Sequence, residues 1–189
     1  MSETSETVQA VSTDTACDSS DIKWLKNYEG GWQFGEAGVI HAITKRVGHG
    51  DKYAVEFGGG TSLMKLTVQR LVNDGWNALL IEADENNHKS LVDETKDFEH
   101  VKVLKQYVDP IGTFTLENTL KANGFPTPDV LVIDVDSDDY YLLASCNNIK
   151  ARILCVEHHD TVDPKINHKA SVIPSGETIG KNIDGFNAQ

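Results

Sequence analysis

The chain has 189 residues and carries 29 acidic against 17 basic side chains, a formal net charge of -12. That balance speaks against a polyanionic partner such as nucleic acid or an acidic membrane surface, and it favours a small-molecule or neutral partner. No apolar run approaches the roughly 20 residues a membrane span needs, and the length suits one soluble domain with a substantial core.

Cys17, Cys146 and Cys155 show neither paired spacing nor a metal-knuckle pattern. Cys146 and Cys155 sit among apolar neighbours and read as small core residues. An odd cysteine count without a secretory segment fits a reducing, cytoplasmic setting.

Residues 1–21 are rich in Ser, Thr, Asp and Glu, with hardly a large apolar side chain. Such a stretch cannot offset its ordering entropy and reads as a disordered acidic tail. Residues 22–52 hold Trp24, Leu25, Tyr28, Trp32 and Phe34, followed by a helical pattern from Glu36. Val39, Ile40, Ile43 and Val47 fall on one face of that pattern, which predicts an amphipathic helix covering a sheet. Gly48 and Gly50 end it.

Strand and helix signals alternate over residues 53–160. Tyr53–Phe57 reads as a strand, and Ser62–Asp74 as a helix with Met64, Val68, Leu71 and Val72 on its apolar stripe. Trp76–Ile81 is a second strand, Glu85–Lys96 a helix and Val101–Leu104 a third strand. Thr115 caps a helix near Leu116–Asn123, which Gly124 and Pro126 stop. Val130–Ile133 is a fourth strand, Asp139–Cys146 a short helix and Ile153–Val156 a fifth strand. Short, fully apolar strands alternating with helices predict an α/β fold, a doubly wound, mostly parallel sheet with helices on both faces. Residues 161–189 show no clear element, and the final strands of such a fold are not evident there.

The chemistry gathers at the strand ends. The first strand runs into Gly58, Gly59 and Gly60, with Thr61 and Ser62 as N-cap candidates. Such a turn lets a ligand approach the backbone closely at a helix start. It matches neither the dinucleotide glycine spacing nor a phosphate loop. Glu82 ends the second strand about 22 residues beyond Gly60, where an acid accepts hydrogen bonds from the hydroxyls of an adenosine ribose. An adenosine-containing cofactor is therefore expected.

Asp134, Asp136, Asp138 and Asp139 crowd the end of the fourth strand. Such acids meet a cationic group, hold a divalent metal through oxygen or accept a substrate proton. Asp138 and Asp139 read as charges loading a helix N-terminus, which leaves Asp134 and Asp136 as site candidates. Glu157, His158, His159 and Asp160 follow the fifth strand, and neighbours on an extended segment point in opposite directions. No zinc site is expected, and no metal is assigned. His158 or His159 is the candidate general base.

The segments QFGEAGVIHAI (33–43), VEFGGG (55–60), ALLIEAD (78–84), VLVIDVDSDDYY (130–141) and ILCVEHH (153–159) together resemble the FkbM-like group of S-adenosylmethionine-dependent methyltransferases. The resemblance runs in order from about Trp32 to Asp160. It is nearest to a branch with a QFGEDG or QYGEDG lead-in and an IDIDG or IDVDG motif. Ala37 stands where that branch usually has Asp, and Ser137 where it usually has Gly. The resemblance implies S-adenosyl-L-methionine as cofactor and methyl transfer to an oxygen of a small-molecule or sugar-like acceptor. It also implies that Glu56 supports the glycine turn and that Gln106 and Tyr107 lie by the adenine. The acceptor would come in over Asp134, Asp136 and Glu157. A methyltransferase-like domain that binds a ligand or protein without turnover is the second expectation. An NAD-dependent oxidoreductase fits the glycine spacing poorly.

Overall fold

Continuous apolar runs need cover on both sides, and the computed structural model supplies it with helices. It describes residues 35–136 and 138–157. Five strands, β1 (Tyr53–Phe57), β2 (Asn77–Glu82), β3 (Val101–Lys105), β4 (Val130–Ile133) and β5 (Ile153–Val156), form one sheet in the order β3-β2-β1-β4-β5. Every pairing is parallel, and Phe57 at the end of β1 sits beside Ile81 on one side and Ile133 on the other. The fold is α/β and doubly wound, of Rossmann-like type. Its order reverses at β1 and β4, the kind of place where open parallel sheets bind ligands.

Side-chain alternation along the strands builds two cores. Ala54, Ala78, Leu80, Val130 and Val132 pack on one face with Ile40 of α1 (Glu36–Val47), Leu71 and Val72 of α2 (Gln69–Asn73), and Leu91 of α3 (Glu85–Thr95). Val55, Phe57, Leu79, Ile81, Leu131 and Ile133 face the other way. There they meet Leu116 and Leu120 of α4 (Leu116–Ala122) and Leu142 of α5 (Asp139–Ser145). The two-residue period of a strand thus assigns each side chain to its layer. The central strands are buried almost throughout, whereas the edge strands are only partly covered, with Lys102 and Lys105 of β3 and Leu154 of β5 exposed.

Three local expectations are corrected. The single helix expected over Ser62–Asp74 is instead a 3-10 turn at Leu63–Lys65, an extended step at Leu66 and the short α2. The buried carboxylate of Glu56 accepts the N–H groups of Thr67 and Val68, which a continuous helix would have used within its own ladder. Met64, expected on the apolar stripe, is consequently 61% exposed, while Leu63 and Leu66 fill the core. On α1 the inward face is Ala37, Ile40 and Thr44, and Val47 is half exposed. Thr44 tolerates burial because its hydroxyl donates to the carbonyl of Ile40. Residues 1–34 and 158–189, including the expected acidic tail and C-terminal segment, lie outside the described residues. Among those described, no helix is long and apolar enough to cross a membrane.

The turn after β1 shows what the glycines are for. Gly58 has φ +87, and a Cβ there would lie 1.3 Å from the carbonyl oxygen of Asp134. Gly60 has φ +59 with open space where a side chain would go. Gly58→Ala must separate the tips of β1 and β4, so a loss of more than about 3 kcal/mol is expected. Gly60→Ala meets only the left-handed backbone penalty of about 1–2 kcal/mol. Urea denaturation of the two variants checks this order, and equal losses would contradict it.

Candidate functional site at the carboxyl ends of the strands

Backbone hydrogen bonds carry the sheet past its last paired residues and fix the strand tips relative to one another. Gly58 donates its N–H to the Ile81 carbonyl at 3.1 Å, Asp134 to that of Phe57 at 3.1 Å, and Glu157 to that of Ile133 at 2.8 Å. Gln106 donates likewise to the Glu82 carbonyl. All five strand ends are therefore tied into one rim.

Gly58, Gly59 and Gly60 occupy the middle of that rim, each in a different role. Gly58 allows the contact with the Asp134 carbonyl, and Gly59 has room for only a tight Cβ, 3.1 Å from the Leu91 side chain of α3. Gly60 lies open. Beneath them Glu56, 3% exposed, binds the N–H groups of Thr67 and Val68 at 3.0 and 2.9 Å. Burial pushes its carboxyl up to about 7, and the two N–H bonds offset only part of that rise. Two α3 side chains not singled out from the sequence hold the turn from the other side. Glu94 accepts the Ser62 hydroxyl and the Leu63 N–H, and Ser90 donates to the Thr61 carbonyl. Ser62 does cap the 3-10 turn, through Met64 N–H.

Glu82 stands at the tip of β2, largely buried, with one carboxylate oxygen accepting the Asp84 N–H at 2.7 Å. Asp84 in turn caps α3 through the N–H groups of Asn86 and Asn87, which holds its carboxyl below the usual range. Past β3, the Gln106 amide donates to the Thr119 hydroxyl of α4. The Tyr107 hydroxyl donates to Asp138 at 2.9 Å. Burial and the Asp138 charge push the Tyr107 phenol well above its ordinary range. This pair corrects the reading of Asp138 as a plain helix-end charge. It is 2% exposed, makes no capping bond to α5, and keeps one buried oxygen without a hydrogen-bond partner. Asp109, also buried, is raised by its own burial and by the Asp138 charge. Asp139 turns back to accept the Val135 N–H.

Asp134, Asp136 and Glu157 do converge. Each brings a carboxylate oxygen, and these oxygens all lie within 4.8 Å of one another. Asp136 sits at φ 63 and donates its backbone N–H to Glu157 at 3.3 Å. Burial and mutual repulsion, with Glu56 also contributing, raise Asp134 to about 6. Burial and the charges of Asp134, Asp139 and Asp136 raise Glu157 to about 7. An oxygen-only set of this kind has the donor chemistry of a hard divalent cation site. Without such an ion, the crowding is relieved by protons held between the acids. His158 and His159 lie outside the described residues.

No protein-family model, curated protein or solved structure matches this chain. The likeness to the FkbM-like group thus rests on the motifs in the sequence alone.

The raised acids make stability depend on pH with a definite sign. Carboxyls raised on folding bind protons more tightly in the folded chain, so their contribution is present at low pH. It fades as pH rises from about 4.5 through about 7, the range between the ordinary and folded values of Glu56 and Glu157. Glu157→Gln keeps an acceptor for Asp136 N–H and removes one charge. It is expected to raise the melting temperature at pH 8 and to shrink the loss between pH 5 and pH 8. Thermal melts of the two chains read this directly. A variant less stable than the parent at pH 8 would mean that the acids do not repel one another.

Proposed function

We propose that the crevice over Gly58–Gly60 binds S-adenosyl-L-methionine and that the chain is a methyltransferase acting on an oxygen of a small-molecule or sugar-like acceptor. One observation carries the reading: an open glycine turn at the reversal of strand order, bordered by Glu82, Asp134, Asp136 and Glu157. A carboxylate-lined crevice suits a ligand with a sulfonium and an ammonium group. It suits the anionic pyrophosphate of a dinucleotide poorly. The position of Glu82 at the β2 tip supports assigning it to the ribose hydroxyls, and Gln106 and Tyr107, directly after β3, are assigned to the adenine side.

In this reading the acceptor enters over Asp134, Asp136 and Glu157. The cofactor would supply a sulfonium-bound methyl group, whose transfer to the acceptor oxygen would leave a neutral thioether. The acceptor proton goes to the Asp134–Glu157 pair, whose raised affinity for protons suits a base working near neutral pH. The glycine turn and the fixed rim contribute chiefly by positioning, since methyl transfer needs in-line geometry.

Calorimetric titration separates this reading from its competitors. S-adenosylmethionine and S-adenosylhomocysteine are expected to bind at micromolar affinity and NAD not at all. Glu82→Ala is expected to weaken cofactor binding by about 1–3 kcal/mol, as for a lost hydrogen-bond partner of charge. Tight NAD binding would replace the methyltransferase with an oxidoreductase. Cofactor binding without transfer to any acceptor in a screen would favour a binding domain without turnover.

A further inference from the structure

The opposite end of the sheet carries a second site that the methyltransferase reading does not use. A cavity of about 280 Å³ opens at the amino ends of β1 and β2, between α1 and α2. Its wall includes His41 and Lys45 from α1, His49 just beyond it, Lys52 directly before β1, and Asp74 and Trp76 from the α2–β2 connection. The volume is near the lower limit of small-ligand pockets.

Charge accounting within the cavity favours an anion. Asp74, the one acid in its lining, is hydrogen-bonded to His41 at 2.7 Å, and the two lysines of the lining outnumber it. Lys45 and Lys52 are exposed, and neither forms an ion pair among the described residues. Lys45 also faces the negative end of the α1 dipole, roughly half a charge, which two full ammonium charges exceed. In a chain of net charge -12, two uncommitted ammonium groups at one cavity stand out from the surrounding field.

The lysine positions are built into the fold. Asp129 accepts the N–H groups of Gly50, Lys52 and Tyr53 at 2.6, 2.9 and 3.4 Å, which clamps the turn that carries Lys52. Those bonds hold Lys52 at φ 60, a conformation that L side chains rarely adopt. The His49 and Trp76 rings meet in a T-shaped contact with centroids 5.3 Å apart, and Trp76 is only 3% exposed, so His49 presents most of the aromatic surface. The lining thus combines two ammonium groups with an aromatic side.

We infer that this cavity between α1 and α2 is a binding site for a small phosphomonoester, its phosphate on Lys45 and Lys52 and its organic part against His49 and Trp76. A dianion matches two ammonium groups, and the aromatic wall favours a ligand with an apolar or planar body over free phosphate.

The test is nitrogen–proton NMR titration of the full chain with phenyl phosphate, inorganic phosphate and phenol as probes. Phenyl phosphate is expected to shift the Lys45, His49 and Lys52 amides and the Trp76 indole, saturating in the millimolar range or below. Inorganic phosphate should bind the same residues more weakly, and phenol should leave them unmoved. Lys45→Glu, and Lys52→Asn, which tolerates the left-handed backbone, should each weaken binding by about tenfold or more. Their unchanged spectra elsewhere would show that the fold is intact. The inference is overturned if phenyl phosphate produces no saturable shift, if the shifts map to another surface, or if both substitutions leave the affinity unaltered.

Discussion

The contact on which the rest of the structure depends is that between Gly58 and the carbonyl of Asp134. Two strand tips meet there with no room for a single carbon atom between them. The meeting is possible only because β1 and β4 are neighbours in register, with Phe57 beside Ile133. It brings the glycine turn and the Asp134 carboxylate to one place, although 76 positions separate Gly58 from Asp134 (134 − 58). Glu56 then fixes the far side of the turn by taking two N–H groups that would otherwise continue a helix. A buried carboxylate is an expensive anchor, yet each of its oxygens accepts a backbone donor, which is what makes its burial tolerable.

The same geometry sets the electrostatics. Because the strands are parallel, their ends collect on one rim, and the acids that follow β4 and β5 are forced together. Burial, and then their crowding, raises their affinity for protons. At the other end of β1 and β2 stand Lys45 and Lys52, whose ammonium groups line the cavity there. A cationic group is drawn to the carboxyl rim and an anionic one to the amino end.

Much of this was legible in the sequence, for a physical reason. β1, β4 and β5 were placed to the residue, because short apolar runs flanked by charged residues or glycine admit few other readings. The cluster at Asp134, Asp136 and Glu157 followed from strand ends lying side by side. What escaped was set by side chain-to-backbone bonds across the fold. Met64, Val68, Leu71 and Val72 have spacing that suits a helix, and nothing in it announces that Glu56 will break the ladder. Ser90 and Glu94 look like solvent-facing residues of a polar helix until α3 is packed beside the glycine turn. Asp138 resembles any acid at a helix start, and only the folded chain brings Tyr107 to it.

Whether the rim around Gly58–Gly60 is a cofactor site is decided by a crystal structure of the chain grown with S-adenosylhomocysteine. The thioether and amino-acid part are expected over Gly58–Gly60, with the ribose hydroxyls within hydrogen-bond distance of Glu82. A well-ordered rim left empty at saturating ligand, or the nucleoside bound elsewhere on the chain, would contradict it.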